Sequence, residues 1–228
     1  MSHRLAVLIS GSGTNLQAII DAVQSGRLTA EIAVVLSNSA TAAGLQRAIR
    51  AGIPTLTLDH RNYLDRHSFD QAMIAELDRF RPDSVVLAGF MRILSADFVR
   101  HYHGRLINIH PSLLPRHKGL HTHRRALEAG DQEHGCTVHF VTEELDGGPA
   151  IARARVPVLA NDDEALLSKR VQAREHDLYP RVLDWRASGR LTLGPQGVLL
   201  DGKAIASEGL DIDQLPADAA GVTGRTAD

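Results

Sequence analysis

Apolar residues are distributed along this chain in two alternating textures. Arg4-Leu5-Ala6-Val7-Leu8-Ile9 is a nearly unbroken apolar run, as expected of a strand buried on both faces of a parallel sheet. It breaks at Ser10-Gly11-Ser12-Gly13, after which Leu16, Ile19, Ile20 and Val23 recur at helical spacing. The change of period then repeats. Glu31 to Leu36 reads as a strand, Gly44 to Ala51 as a short helix closed by Gly52, and Pro54 to Leu58 as a short strand. Phe69, Met73, Ile74, Leu77 and Phe80 stripe a helix that Pro82 stops. Ser84 to Ala88 is again a buried strand, Leu94 to Val99 a brief helix, and Leu106 to His110 a strand ended by Pro111. Such alternation requires crossover connections, so it predicts an α/β fold with a mostly parallel central sheet flanked by helices.

Downstream the texture changes. Cys136 to Val141 alternates with period two, and Ala150 to Val158 is a second extended segment across Asp146-Gly147-Gly148. Together they predict an antiparallel strand pair near the C-terminal end of the sheet. Glu164 to Leu183 predicts a long helix with Leu166, Leu167, Val171 and Leu178 inward. Beyond Gly189, short extended pieces separated by Gly and Asp lead into Asp211 to Asp228, rich in Ala, Asp and Gly and expected to be poorly ordered. There is no internal repeat and no linker-like stretch.

Composition limits the function classes. At 228 residues, with 43% hydrophobic and 23% charged, the chain buries about 70% of its unfolded surface, enough for one sizeable core without metal or disulfide. The lone Cys136 excludes a disulfide framework and a Cys-based zinc site. A net charge of −2 argues against nucleic-acid partners. No stretch approaches a membrane span, and the apolar run near Met1 is too short for a signal peptide, so a cytoplasmic location is expected. One oddity remains: of 12 histidines, eight lie between His101 and His139.

Three groups of residues are candidates for chemistry. Gly11-Ser12-Gly13-Thr14-Asn15 joins a strand to a helix, where free amides and the positive end of the helix dipole favour an anion. It lacks the third glycine of a dinucleotide fingerprint and the Gly-Lys-Ser/Thr of a triphosphate loop, which leaves a phosphate monoester, or simply a tight turn. Asn108 and His110 are two apart on a strand and so share a face, at the carboxyl end where open α/β sheets bind ligands. With Asp146 in its Gly-Gly turn, they suit a reaction in which an oxyanion develops: an amide donor, an imidazole that moves a proton, and a carboxylate that stabilises imidazolium. A packed histidine and a turn aspartate are the alternative. His121 and His123, with the other histidines, could also supply metal ligands, but their i, i+2 spacing separates them on a helix and no His-Glu-x-x-His occurs.

The ordered motifs Ser10 to Ile19, Leu87-Ala88-Gly89-Phe90-Met91-Arg92-Ile93-Leu94, Asn108-Ile109-His110-Pro111-Ser112-Leu113-Leu114-Pro115, Gly119-Leu120-His121-Thr122-His123 and Glu144-Leu145-Asp146-Gly147-Gly148-Pro149 resemble the folate-dependent formyltransferases, and within them the glycinamide ribonucleotide branch. The resemblance runs from about Leu5 to about Arg190, with small departures at Ser12, Thr14 and Ala150. It implies a Rossmann-like formyltransferase domain over residues 1–193 and a C-terminal extension over 194–228, partly disordered at its end. It implies 10-formyltetrahydrofolate as co-substrate, no metal, small-molecule partners, no nucleic acid or membrane, and a monomer or weak homodimer. Under it His110 is the general acid, Asn108 an oxyanion donor and Asp146 the partner of the imidazolium. Gly11, Ser12, Gly13, Thr14 and Asn15 hold the substrate phosphate. Glu175, His121 and His123 lie near the substrate, and Arg66, Met91, Arg92, Ile93, Leu94 and Asn108 face the folate. The resemblance further implies that relatives acting on tRNA or hydrolysing the formyl donor carry additional domains, so a chain of 228 residues is expected to be neither.

Overall fold

A computed structural model describes residues 2–215. Among these residues eleven strands and six α-helices alternate as far as β6 and then give way to mostly strands: β1 (His3–Ile9), α1 (Thr14–Gln24), β2 (Ala30–Ser37), α2 (Ala43–Arg50), β3 (Thr55–Thr57), α3 (Arg66–Asp78), β4 (Ser84–Leu87), α4 (Ala96–His101), β5 (Leu106–His110), α5 (Thr122–Glu128), β6 (Glu133–Phe140), β7 (Ala150–Pro157), α6 (Glu164–Ala187), β8 (Leu191–Gly194), β9 (Gly197–Leu200), β10 (Lys203–Ala204) and β11 (Leu210–Asp211). The main sheet has the order β11-β7-β6-β5-β4-β1-β2-β3. Pairing is parallel from β3 through β5 and antiparallel on both sides of β6, and β11 is parallel to β7. Only β6 therefore opposes the other strands of this sheet among the described residues.

The apolar run of β1 divides by alternation between two cores. Leu5, Val7 and Ile9 join the core under α1 and α6, where Leu16, Ile19, Leu178 and Trp185 pack. Ala6 and Leu8 join the opposite core, with Phe69, Met73 and Leu77 of α3, Phe98 of α4 and Tyr102 at its C-cap. Fully buried Tyr179 ties α6 to the sheet, its hydroxyl 3.0 Å from both the Leu87 and Ile107 carbonyls.

Several expectations shift for local reasons. Thr14 and Asn15 are the first helical residues of α1, with Gly13 as the left-handed cap at φ 68°. The third helix begins at Arg66, because Asp65 and Ser68 form a reciprocal capping box, and it ends at Asp78, short of Phe80. The fourth starts at Ala96 and not Leu94, because the Ser95 hydroxyl accepts from the Phe98 amide. Leu166, expected inward, is 52% exposed, because the buried stripe of α6 runs through Leu167, Val171, Glu175 and Leu178 and leaves its neighbour off that face.

The C-terminal part is more structured than its composition suggests. β8, β9 and β10 form a separate antiparallel sheet, so the expected boundary after residue 193 falls inside β8. Asp211, expected in a poorly ordered tail, lies in β11, where its carboxylate accepts from Arg155 Nε at 2.7 Å. Residues 212–214 follow as a 3-10 turn. The rest of that expectation, from 216 to 228, lies outside the described residues.

Candidate active site

The carboxyl ends of β1, β4 and β5 lie side by side at the edge where the strand order reverses, the usual ligand crevice of an open α/β sheet. Ser10 fastens this edge. Its amide donates to the Gly89 carbonyl at 3.1 Å, its hydroxyl donates to Asn38 Oδ1 at 2.6 Å, and its own Oγ accepts from the Met91 amide at 2.8 Å.

On β5, Asn108 and His110 share a face, and the turn carrying Asp146 folds over them. His110 Nδ1 is 3.5 Å from Asp146 Oδ2, within the range where a carboxylate stabilises imidazolium. Both side chains are more than nine-tenths buried. The same Asp146 oxygen accepts from the Gly119 amide at 2.8 Å. His110 Nε2 lies 3.0 Å from the His117 carbonyl; a carbonyl only accepts, so Nε2 carries hydrogen and Nδ1 is the nitrogen that gains or loses a proton. Asp146 sits at φ 48°, and His117 and His121 are likewise left-handed at 52° and 57°. Non-glycine residues in that conformation are concentrated around this site.

Sequence reasoning missed His139. It pairs directly with Asn108 across β5 and β6, and Asn108 Nδ2 lies 3.2 Å from its Nε2. His139 Nδ1 donates to the Phe140 carbonyl at 3.0 Å, leaving Nε2 as acceptor. Burial pushes the imidazole down to about 4, so it stays neutral. One N–H of the Asn108 amide is thereby fixed and the other is left to offer a ligand. The only available signal was the antiparallel register of two strands predicted separately.

A cavity of about 120 Å³ opens beside these groups; its lining mixes Asn108, His139 and Asp146 and the charged Arg92, Glu143 and Glu144 with apolar residues such as Leu87, Phe90 and Ile93. His110 sits just behind Asp146 and outside the lining. Of the residues expected to face a folate, Arg92, Ile93, Leu94 and Asn108 line this cavity. Met91 contributes its backbone amide to Ser10 and is itself 70% exposed. Arg66 is exposed on the first turn of α3 and outside the lining. It and Arg92 both act on buried Asp70, whose carboxyl burial nevertheless pushes up. The Arg92 guanidinium lies over the Phe69 ring, 5.3 Å from its centroid.

The glycine loop abuts α2. A Cβ at Gly13 would stand 2.6 Å from Gly44 Cα, so glycine is required by both φ and space. The first turn of α1 holds no acidic residue, and Arg47 Nε, donating to the Ser12 carbonyl at 2.9 Å, brings a cation beside the free amides. Thr14 Oγ1 accepts from Gln172, and Asn15 Nδ2 donates to Glu175 Oε2 at 2.9 Å. Burial raises the Glu175 carboxyl above its ordinary range. Thus Glu175 reaches the loop from α6, and Arg47 from α2, neither visible as a local motif.

The histidine cluster disperses. His121 is exposed, whereas His123 turns in, its Nδ1 3.1 Å from buried His134 Nε2. Neither lines the cavity. Among the described residues no set of three or more His, Cys, Asp or Glu is gathered as metal ligands. Burial lowers the proton affinity of His3, His123, His134, His139 and His176, with His134 and His139 near about 4. The unfolded chain protonates these rings near their ordinary value of about 6.5. Below that pH the unfolded state binds protons that the folded state refuses, so stability is full above it and falls as pH drops toward 4. The urea midpoint is therefore expected to be lower at pH ~5 than at pH ~7, with a shallower fall in a His134→Gln variant. A midpoint that stays level between those pH values contradicts this account.

Comparison with known proteins accords with this geometry. Residues 3–183 match the formyl transferase family model. The chain is 54% identical over 210 residues, 92% of its length and 99% of the relative's, to phosphoribosylglycinamide formyltransferase of Escherichia coli. It is 50% identical over 194 residues to part (19%) of the human trifunctional purine biosynthetic protein adenosine-3, covering 85% of this chain. The solved phosphoribosylglycinamide formyltransferase of Coxiella burnetii superimposes with a TM-score of 0.89 at 50% identity, covering 92% of this chain and 99% of that one. The chain belongs to the formyl transferase family.

Proposed function

We propose that this chain transfers the formyl group of 10-formyltetrahydrofolate to the amine of 5-phosphoribosylglycinamide, a step of purine synthesis, by direct attack of the amine. The observation that carries the reading is the convergence of Asn108, His110 and Asp146 beside a cavity that also holds apolar side chains. Those apolar side chains suit a fused pterin ring, and Asn108 meets the reacting carbonyl. The folate supplies a formyl carbonyl attached to nitrogen. Asn108 donates its remaining Nδ2 hydrogen to the carbonyl oxygen as negative charge develops there. His110 gives its Nδ1 proton to the folate nitrogen as the bond from that nitrogen to the formyl carbon breaks, with Asp146 stabilising the imidazolium until then, and the proton shed by the amine as it bonds to the formyl carbon restores the imidazolium. The amides of Gly11 to Asn15, with Arg47, hold the phosphate of the ribonucleotide. Glu175 offers its carboxylate to the amine or ribose. We place the activity in the cytoplasm with small-molecule partners.

The test is a pair of assays on the purified protein. With 10-formyltetrahydrofolate and glycinamide ribonucleotide together, formyl transfer is expected; without the ribonucleotide, the folate is expected to remain intact. Hydrolysis in the second assay would identify a deformylase instead, and no reaction in either would remove the proposal.

A further inference from the structure

We propose that His117 and Asp131 are positioning residues for the His110–Asp146 pair, holding the strap of residues 116–119 against both. This rests on the reading of His110 and Asp146 given above. The strap touches each of them once through its backbone: the His117 carbonyl accepts from His110 Nε2 at 3.0 Å, and the Gly119 amide donates to Asp146 Oδ2 at 2.8 Å. A displacement of two residues of chain would therefore release both catalytic side chains together.

The strap has no secondary structure of its own, and His117 adopts φ 52° without being glycine, a conformation that Cβ disfavours. Something must hold it there, and the His117 side chain does. Its Nε2 lies 2.7 Å from Asp131 Oδ2, with the two side chains only 12% and 13% exposed. Asp131 follows α5 and caps no helix; its other oxygen faces Arg116 Nη1 at 3.4 Å. The remaining groups around the His117 ring are His134 of β6, 6.1 Å between ring centroids, and His110 of β5 through the shared carbonyl contact. The ends of the strap are held separately, by the Ser112 hydroxyl on the Arg116 carbonyl at 2.7 Å and by Arg125 on the Lys118 carbonyl at 2.6 Å. The His117–Asp131 pair is thus the fastening at the residue whose carbonyl meets His110.

Asp131→Asn is expected to lower kcat about tenfold with KM for both substrates nearly unchanged, as outer partners of a working imidazole do. Asp131→Glu, which keeps the charge, should recover part of it. The loss should also be less than additive with Asp146→Asn, because both act through the same imidazole. A readout independent of turnover is the His110 Nε2–H proton resonance, expected to exchange slowly in the resting protein and faster in Asp131→Asn. If Asp131→Asn does not fold, His117→Asn serves, since asparagine tolerates the left-handed backbone but does not reproduce the imidazole's bond. Unchanged kcat and unchanged exchange, in a protein that does transfer formyl, overturn the positioning role and leave the proposed function standing. Slow exchange lost in Asp131→Asn, in a protein that does not transfer formyl, upholds the positioning and removes the function instead.

Discussion

Replacing Asn108 by alanine is expected to lower kcat by ~10²–10³, the usual loss when one donor to a developing oxyanion is removed. The amide is fixed before substrate arrives, because His139 lies across the sheet from it and accepts one of its N–H bonds. His139 is a reliable acceptor, since its Nδ1 is committed to the Phe140 carbonyl and burial holds the ring neutral well below physiological pH. The remaining Nδ2 hydrogen therefore needs no reorganisation when charge develops, which is the condition under which such a donor is worth most. Because that interaction strengthens only in the transition state, kcat and kcat/KM should fall together, with KM for the ribonucleotide changed by no more than about twofold. The removed group leaves His139 without its donor, so a small loss of stability is expected as well. Steady-state kinetics on Asn108→Ala, with circular dichroism to establish the fold, decide the matter; a kcat within about threefold of the parent would contradict the donor role assigned on the grounds of preorganisation.

What could be read from the sequence was what lies close together along the chain. The buried strands declared themselves because β1, β4 and β5 are apolar on both faces, and the side-chain period of two put Asn108 and His110 on one face without any tertiary information. Asp146 was visible because Gly147 and Gly148 mark its turn. The groups that were missed depend on register or on distant packing. His139 meets Asn108 only because β6 runs antiparallel to β5 with that particular pairing, and a shift of one residue would turn it to the other face. Arg47 reaches the glycine loop from a helix whose docking no local pattern specifies, whereas Glu175, which bonds the same loop, was named through the family resemblance. The strap that meets His110 and Asp146 is irregular, and its fastening at Asp131 lies beyond α5. Compositional reading failed at Asp211 for the same reason: a residue common in disordered tails is here an acceptor for Arg155.

Asp146→Asn is the sharper test of the proton-transfer half of the site. Two unit charges about 4 Å apart interact by about 4 kcal/mol at an effective dielectric of about 20, and the observed separation of 3.5 Å with both groups nearly buried belongs to that regime. Part of this is offset, because the asparagine oxygen still accepts from the Gly119 amide and its dipole still faces the imidazole. A loss of ~10²–10³ in kcat is therefore expected, each tenfold corresponding to about 1.4 kcal/mol. Asparagine is the right substitution because residue 146 is left-handed, and Asn tolerates that conformation better than other side chains carrying a Cβ; alanine would confound lost charge with backbone strain. An acid acts through the proton that the carboxylate faces, so the loss should appear in kcat, with KM for both substrates changed by no more than about twofold. If kcat is unchanged in a folded Asp146→Asn protein, the carboxylate 3.5 Å from His110 is a turn residue and not the imidazolium's partner.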